Sequence, residues 1–154
     1  MTSRSNKSVY VVRGAGVGRT IAFSIEPATL VAFAGNDHIV VRFKRDQGRV
    51  RALVEASTVF PATPEGARKA RKLVAAEYRK ASTWVVNQAI SSIRESHAEI
   101  KRLARLKPLH PTDPAAILRG DSFDFALSVN TEVLRALTAA SRYEVIASNM
   151  AHEN

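Results

Sequence analysis

The chain has no cysteine, and aromatic residues make up only 6% of it. Without a thiol there is no disulfide framework, no thiolate zinc or iron–sulfur site and no cysteine nucleophile. Long apolar runs are missing too. Stretches such as residues 29–34 and 39–41 fall far short of the ~20 residues that span a bilayer, and the polar start at residues 1–8 lacks a signal-peptide core. The short apolar runs and the polar start point to a cytoplasmic protein with no membrane partner, while the missing cysteine says little about compartment. Acid is also scarce, with 14 acidic against 23 basic side chains and a net charge of +9. At 154 residues, one domain spanning 1–154 is expected to bury a core without staples.

Catalytic and metal-binding patterns are equally thin. His38, His97, His110 and His152 stand at no ligand spacing from one another, so no metal or cofactor is expected. Asp113 reads as a helix cap and Asp121 as a turn residue, which leaves Asp124 without carboxylate partners for a metal. Glu99-Ile100-Lys101 has the shape of half a nuclease motif but lies in a helical stretch with no upstream acid. No catalytic residue is nominated, and the chain leans away from enzymes.

What the chain does have is segregated charge. Residues 1–60 carry 9 basic and 4 acidic side chains, residues 61–107 carry 11 and 4, and residues 108–154 carry 3 and 6. A cationic surface is therefore expected on the first two thirds, facing a polyanion.

Hydrophobic periodicity sets out the elements. Residues 9–12 read as a strand and Gly14 to Gly18 as a flexible hairpin loop. Residues 20–26 alternate with Ile21, Phe23 and Ile25 on one face, and Pro27 is expected to end that strand. Residues 30–34 form a short strand or extension, Gly35-Asn36-Asp37 a turn, and residues 38–44 a strand with Ile39, Val41 and Phe43 inward. Residues 49–60 offer Val50, Ala52, Val54 and Ala56 to the same interior, which completes an antiparallel meander of four to five strands.

Thr63-Pro64-Glu65 is a helix start, with a capping hydroxyl, proline at the first position and an early acid. From there to Lys107 only Gly66 resists helix. Ala67, Ala70, Val74, Ala81 and Val85 make one apolar stripe, and Val86, Ile90, Ile93, His97, Ile100 and Ala104 make a second on the side that is basic earlier. One straight helix cannot bury both against one sheet. A break near residues 87–92 is expected, or a different partner for the second half, such as another copy of the chain. A proline-rich connector at 108–114 leads to a short helix reaching 118 and stopped by Gly120. Phe123, Phe125, Leu127 and Val129 alternate as a further strand, and Asn130-Thr131-Glu132 opens a C-terminal helix. The fold class is α+β.

Two basic clusters carry the functional expectation. With a loop at residues 45–48, Lys44 faces Arg49 and Arg42 faces Arg51, so four cations share one face of a ribbon with Arg45 at its tip. The helix adds Arg68, Lys69, Arg71, Lys72, Arg79 and Lys80, with only Glu65 and Glu77 nearby. Arg13 and Arg19 flank the glycine loop, whose spacing fits neither a Walker loop nor a dinucleotide fingerprint, and they can still approach a phosphate. Trp84, Phe23, Phe33, Phe43 and Phe60 fall in apolar phase. That leaves Tyr10 and Tyr78 for base stacking, although core packing is the better reading of both. The expected function is non-enzymatic binding of nucleic acid, DNA or RNA, with a homo-oligomer formed through Val86, Ile90, Ile93, His97 and Ile100. The alternative is an assembly protein working through that seam.

Overall fold

A computed structural model describes residues 7–17, 20–47, 49–107 and 109–152 of the chain. Its strands are β1 (Ser8–Val17), β2 (Thr20–Ala34), β3 (His38–Phe43), β4 (Arg51–Glu55) and β5 (Val59–Pro61), and its helices are α1 (Pro64–Ala104) and α2 (Pro114–His152). The α+β class and the N-terminal antiparallel meander stand as read from the sequence. The chain divides into two compact units. A sheet unit comprises residues 1–80 with 144–154, and a hairpin unit comprises residues 81–143.

In the sheet unit the strand order is β4-β3-β2-β1-β5, so β4 and β5 lie at opposite edges. Only a 3-10 turn, Ala56–Thr58, joins them. Four strand spacings in a flat sheet are roughly 19 Å, whereas three 3-10 residues advance about 6 Å. The sheet must therefore curl until its edges approach each other. Its concave face holds Val9, Val11, Ala28, Ile39, Val41 and Phe43, all buried, with Leu30, Ala52, Val54 and Val59 packed against them. This also corrects the single strand expected over 49–60, because the 3-10 turn moves the chain from one edge to the other.

Two more expectations fail in β1 and β2. Pro27 does not end β2, which runs on to Ala34. Leu30 N–H donates to Lys7 O on the β1 side. By alternation, the Pro27 nitrogen points away from β1, where the β2–β3 ladder begins only at Ala28↔Phe43, and no ladder bond is lost. The glycine stretch is likewise strand as far as Val17, with Gly14 opposite Phe23 and Gly16 opposite Ile21. A Cβ on Gly14 would come within 2.9 Å of the Phe23 ring, so glycine there is what allows the ring to lie across β1. Gly18, Arg19, Gly48 and Pro108, all used in the sequence reading, lie outside the described residues.

Helix α1 starts as its sequence predicts, with Gly66 N–H donating to Thr63 Oγ1 at 3.1 Å. Ala70, Val74, Ala75 and Tyr78 are buried. Tyr78 meets Phe23 edge to face at 5.0 Å between ring centroids, and its hydroxyl accepts the Phe23 N–H at 3.0 Å. Phe23 lies opposite Gly14, on the other side of β1 from Val9 and Val11, so α1 docks on the convex face. Tyr78 is thereby a core residue and no stacking platform. Tyr78→Phe keeps the ring pair and removes the acceptor, so a urea melt should show a loss of about 1 kcal/mol.

In the hairpin unit α1 continues without the expected break, because its second half meets α2 of the same chain. Ser96 Oγ–H donates to the Ala126 carbonyl. Buried positions recur every seventh residue, at Ser82, Ala89, Ser96 and Leu103 on one helix and at Ala126, Val133 and Ala140 on the other. These mostly small residues form the inner seam, and the nominated stripe lies beside it. Val86 and Ile100 are half-buried, His97 is exposed, and Ile90 and Ile93 are 41% and 42% exposed.

The short helix, the strand at 123–129 and the separate last helix are all one helix, α2. The alternation of Phe125 and Leu127 does not mark an inner face: both are exposed, and Ala126 between them is buried. Gly120 continues the helix, and Asp121 is helical. The α2 start is as expected, with Asp113 Oδ1 accepting Ala115 N–H at 2.8 Å. No helix among the described residues is long and apolar enough to cross a membrane.

Candidate nucleic-acid interface

The β3–β4 ladder pairs Arg42 with Arg51 and Val41 with Ala52, the register that alternation predicts. Both arginines lie on the parity opposite to Val41 and Phe43, that is, on the convex face. Like charges directly across a ladder repel, and Arg42 Nε is buried without a hydrogen-bond partner. Beyond this pair the expected ribbon stops. Lys44–Asp46 turn into a 3-10 helix closed by Gln47 in the left-handed region, so Lys44 does not face Arg49 across a ladder and Val50 is 58% exposed. Lys44, Arg49 and Arg51 are exposed. None of the three has an anionic partner among the described residues.

Arg45 behaves differently. Its Nη1 lies 3.2 Å from Glu26 Oε1 and its Nε 3.8 Å from Asp46 Oδ1. Arg13 reaches the other Glu26 oxygen at 3.7 Å. The two guanidiniums sit 4.8 and 5.6 Å from the Phe43 ring centroid, where cation–π attraction adds to the ion pairs. Two arginines and two carboxylates are neutral as a group, so the structure withdraws Arg13 and Arg45 from the open cationic set. Sequence reasoning missed this cluster because Arg13 is opposite Ser24 in the ladder, and Glu26 is brought in from the neighbouring pair.

The helical cluster divides in the same way. Lys69 pairs with Glu65 at 2.8 Å and Lys80 with Glu77 at 2.6 Å. The hydrogen bond from Lys69 holds the Glu65 carboxyl below its ordinary pKa. Arg71 is half-buried, with its Nε buried and unpartnered. Arg68, Lys72 and Arg79 are exposed and form no ion pair among the described residues, although Arg68 lies near enough to Glu65 to help lower its pKa. At 100° per residue they fall within about 40° of one another and extend over roughly 16 Å of helix.

The aromatic assignment also changes. Phe33 and Trp84, expected inside, are 73% and 60% exposed. The described residues contain no group of three or more His, Cys, Asp or Glu placed to hold a metal ion. Glu99 is engaged by Arg102 at 2.6 Å, which lowers its pKa and ties it up locally.

No known protein family, curated protein or solved structure matches this chain. Its chemistry has to be judged from its own charges. The sheet unit holds 15 basic and 8 acidic side chains, net +7, and the hairpin unit 8 and 6, net +2.

Proposed function

We propose that this chain is a non-enzymatic nucleic-acid-binding protein that grips the phosphate backbone through its sheet unit, in the cytoplasm. The observation behind this reading is the set of exposed cations that form no ion pair among the described residues. Lys44, Arg49 and Arg51 are beside the β3–β4 edge, and Arg68, Lys72 and Arg79 form one line on α1. An anionic ligand would satisfy these charges and relieve the Arg42–Arg51 repulsion. Phosphate contacts position a protein without reading bases, so weak sequence preference is expected.

The test is retention of the full chain on duplex DNA, single-stranded DNA and RNA between 50 and 200 mM salt. Six phosphate contacts give a slope of log K against log salt of about −4.2 on single strands and about −5.4 on duplex DNA. Absence of a shifted band at low salt with tens of micromolar protein, or a slope near zero, would overturn the reading.

A further inference from the structure

We infer that the hairpin unit pairs with a second copy of itself through one charge-free side, forming a four-helix bundle. The inference is independent of nucleic-acid binding, since it concerns residues 86–141 only. Counting equal helical rises from the Ser96–Ala126 hydrogen bond places Ala89 level with Val133 and Ser82 level with Ala140. In an antiparallel pair, positions one and four residues past the inner seam point to the same side on both helices. Reversing the helix direction and reflecting across the contact each flip the sense, and the two flips cancel.

On that side the α1 positions between 86 and 104 and the α2 positions between 127 and 141 contain no Asp, Glu, Lys or Arg. They present Ile90, Ile93, Leu127, Leu134 and Leu137, which are 39–67% exposed. By the same register Ile90 lies near the level of Leu134, and Ile93 near that of Leu127. The opposite side carries Glu95, Arg102, Glu132, Arg135 and Arg142.

The size of the face and the charge on the unit select the occupant. Eighteen residue steps of α1 give a length of about 27 Å, and two helix diameters give a width of about 20 Å. With the α2 part only about 21 Å long, a copy would bury about 480 Å², and two copies about 960 Å², close to the ~1,000 Å² of a specific interface. A two-fold interface sets a patch against itself, residue i of one copy meeting residue j of the other and j meeting i, so a charged patch must supply its own complementary pairs. This side carries no charge, and the unit as a whole is only +2.

Sedimentation of the full chain at about 5–50 μM, above a micromolar dissociation constant, is expected to give twice the 16.8 kDa chain mass. The double variant Ile93→Glu/Leu134→Glu is expected to sediment as a monomer with unchanged far-UV circular dichroism, and Glu132→Lys on the charged side to remain a dimer. Because the chain has no cysteine, Leu134→Cys provides a second readout. A short bis-maleimide should couple two copies at that position and not at Arg135→Cys. A monomeric wild type, a dimeric double variant, or equal coupling at 134 and 135 would each overturn the inference.

Discussion

Replacing Arg68, Lys72 and Arg79 together by glutamate is expected to weaken retention on nucleic acid by about 10²- to 10³-fold at 0.1 M salt and to flatten the salt slope by about 2.7. Each phosphate contact contributes about 0.9 to that slope, and three contacts at this salt amount to between two and three decades before any repulsion from the new carboxylates is counted. The change should leave the fold intact. All three side chains are exposed and none forms an ion pair among the described residues. The comparison that gives the result meaning is Lys69→Glu/Lys80→Glu. Those lysines are already engaged by Glu65 and Glu77, so reversing them should cost much less binding. Losses in proportion to the charge changed, six units against four, would show that binding follows total charge and not the open stripe. Gel-shift titrations with both proteins at two salt concentrations decide between the two.

Gly66→Ala is expected to lower stability by about 3 kcal/mol, at the upper end of what overpacking costs. In an ordinary helix interior the same substitution stabilises by about 1 kcal/mol. Here a Cβ would lie 1.9 Å from the Pro61 carbonyl oxygen and 2.9 Å from its carbon. Neither atom can yield cheaply. Pro61 ends β5, which pairs with Val9 of β1, and the next residues are held by Ala62 N–H to Ser8 O and Thr63 N–H to Pro61 O. The first turn of α1 would have to lift away, loosening the dock at Phe23 and Tyr78. A urea midpoint equal to or above that of the wild type would show that this close approach does not exist.

Gly66 also shows how far the sequence could be read. It stood out as the one residue resisting helix between 63 and 107, and the periodicity around it carried the helix through regardless. The need for glycine lies in Pro61, and only docking supplies that. The β3–β4 hairpin divides at a comparable point. Arg42 opposite Arg51 follows from period-two alternation and a short turn, which are local constraints. The next pair outward was lost because Lys44–Asp46 take up a 3-10 turn. The strand expected at 123–129 failed for a related reason. Alternating Phe125, Leu127 and Val129 satisfy a strand pattern locally, but the seven-residue spacing of Ala126, Val133 and Ala140 matches a partner helix thirty residues earlier, and burial followed that spacing.

The sequence by itself determined the class of the fold, the caps at Thr63-Pro64 and Asp113-Pro114, the shortage of acid and the placing of most cations before residue 108. Each of these depends on neighbours a few residues apart or on composition alone. Only the tertiary structure decided that β4 and β5 occupy opposite edges of a curled sheet and that Arg13 and Arg45 are neutralised around Glu26. It also decided which apolar stripe of α1 is buried and which is left bare. These outcomes depend on which distant segments meet, because an ion pair or a buried seam is a property of two surfaces and is not encoded within either one.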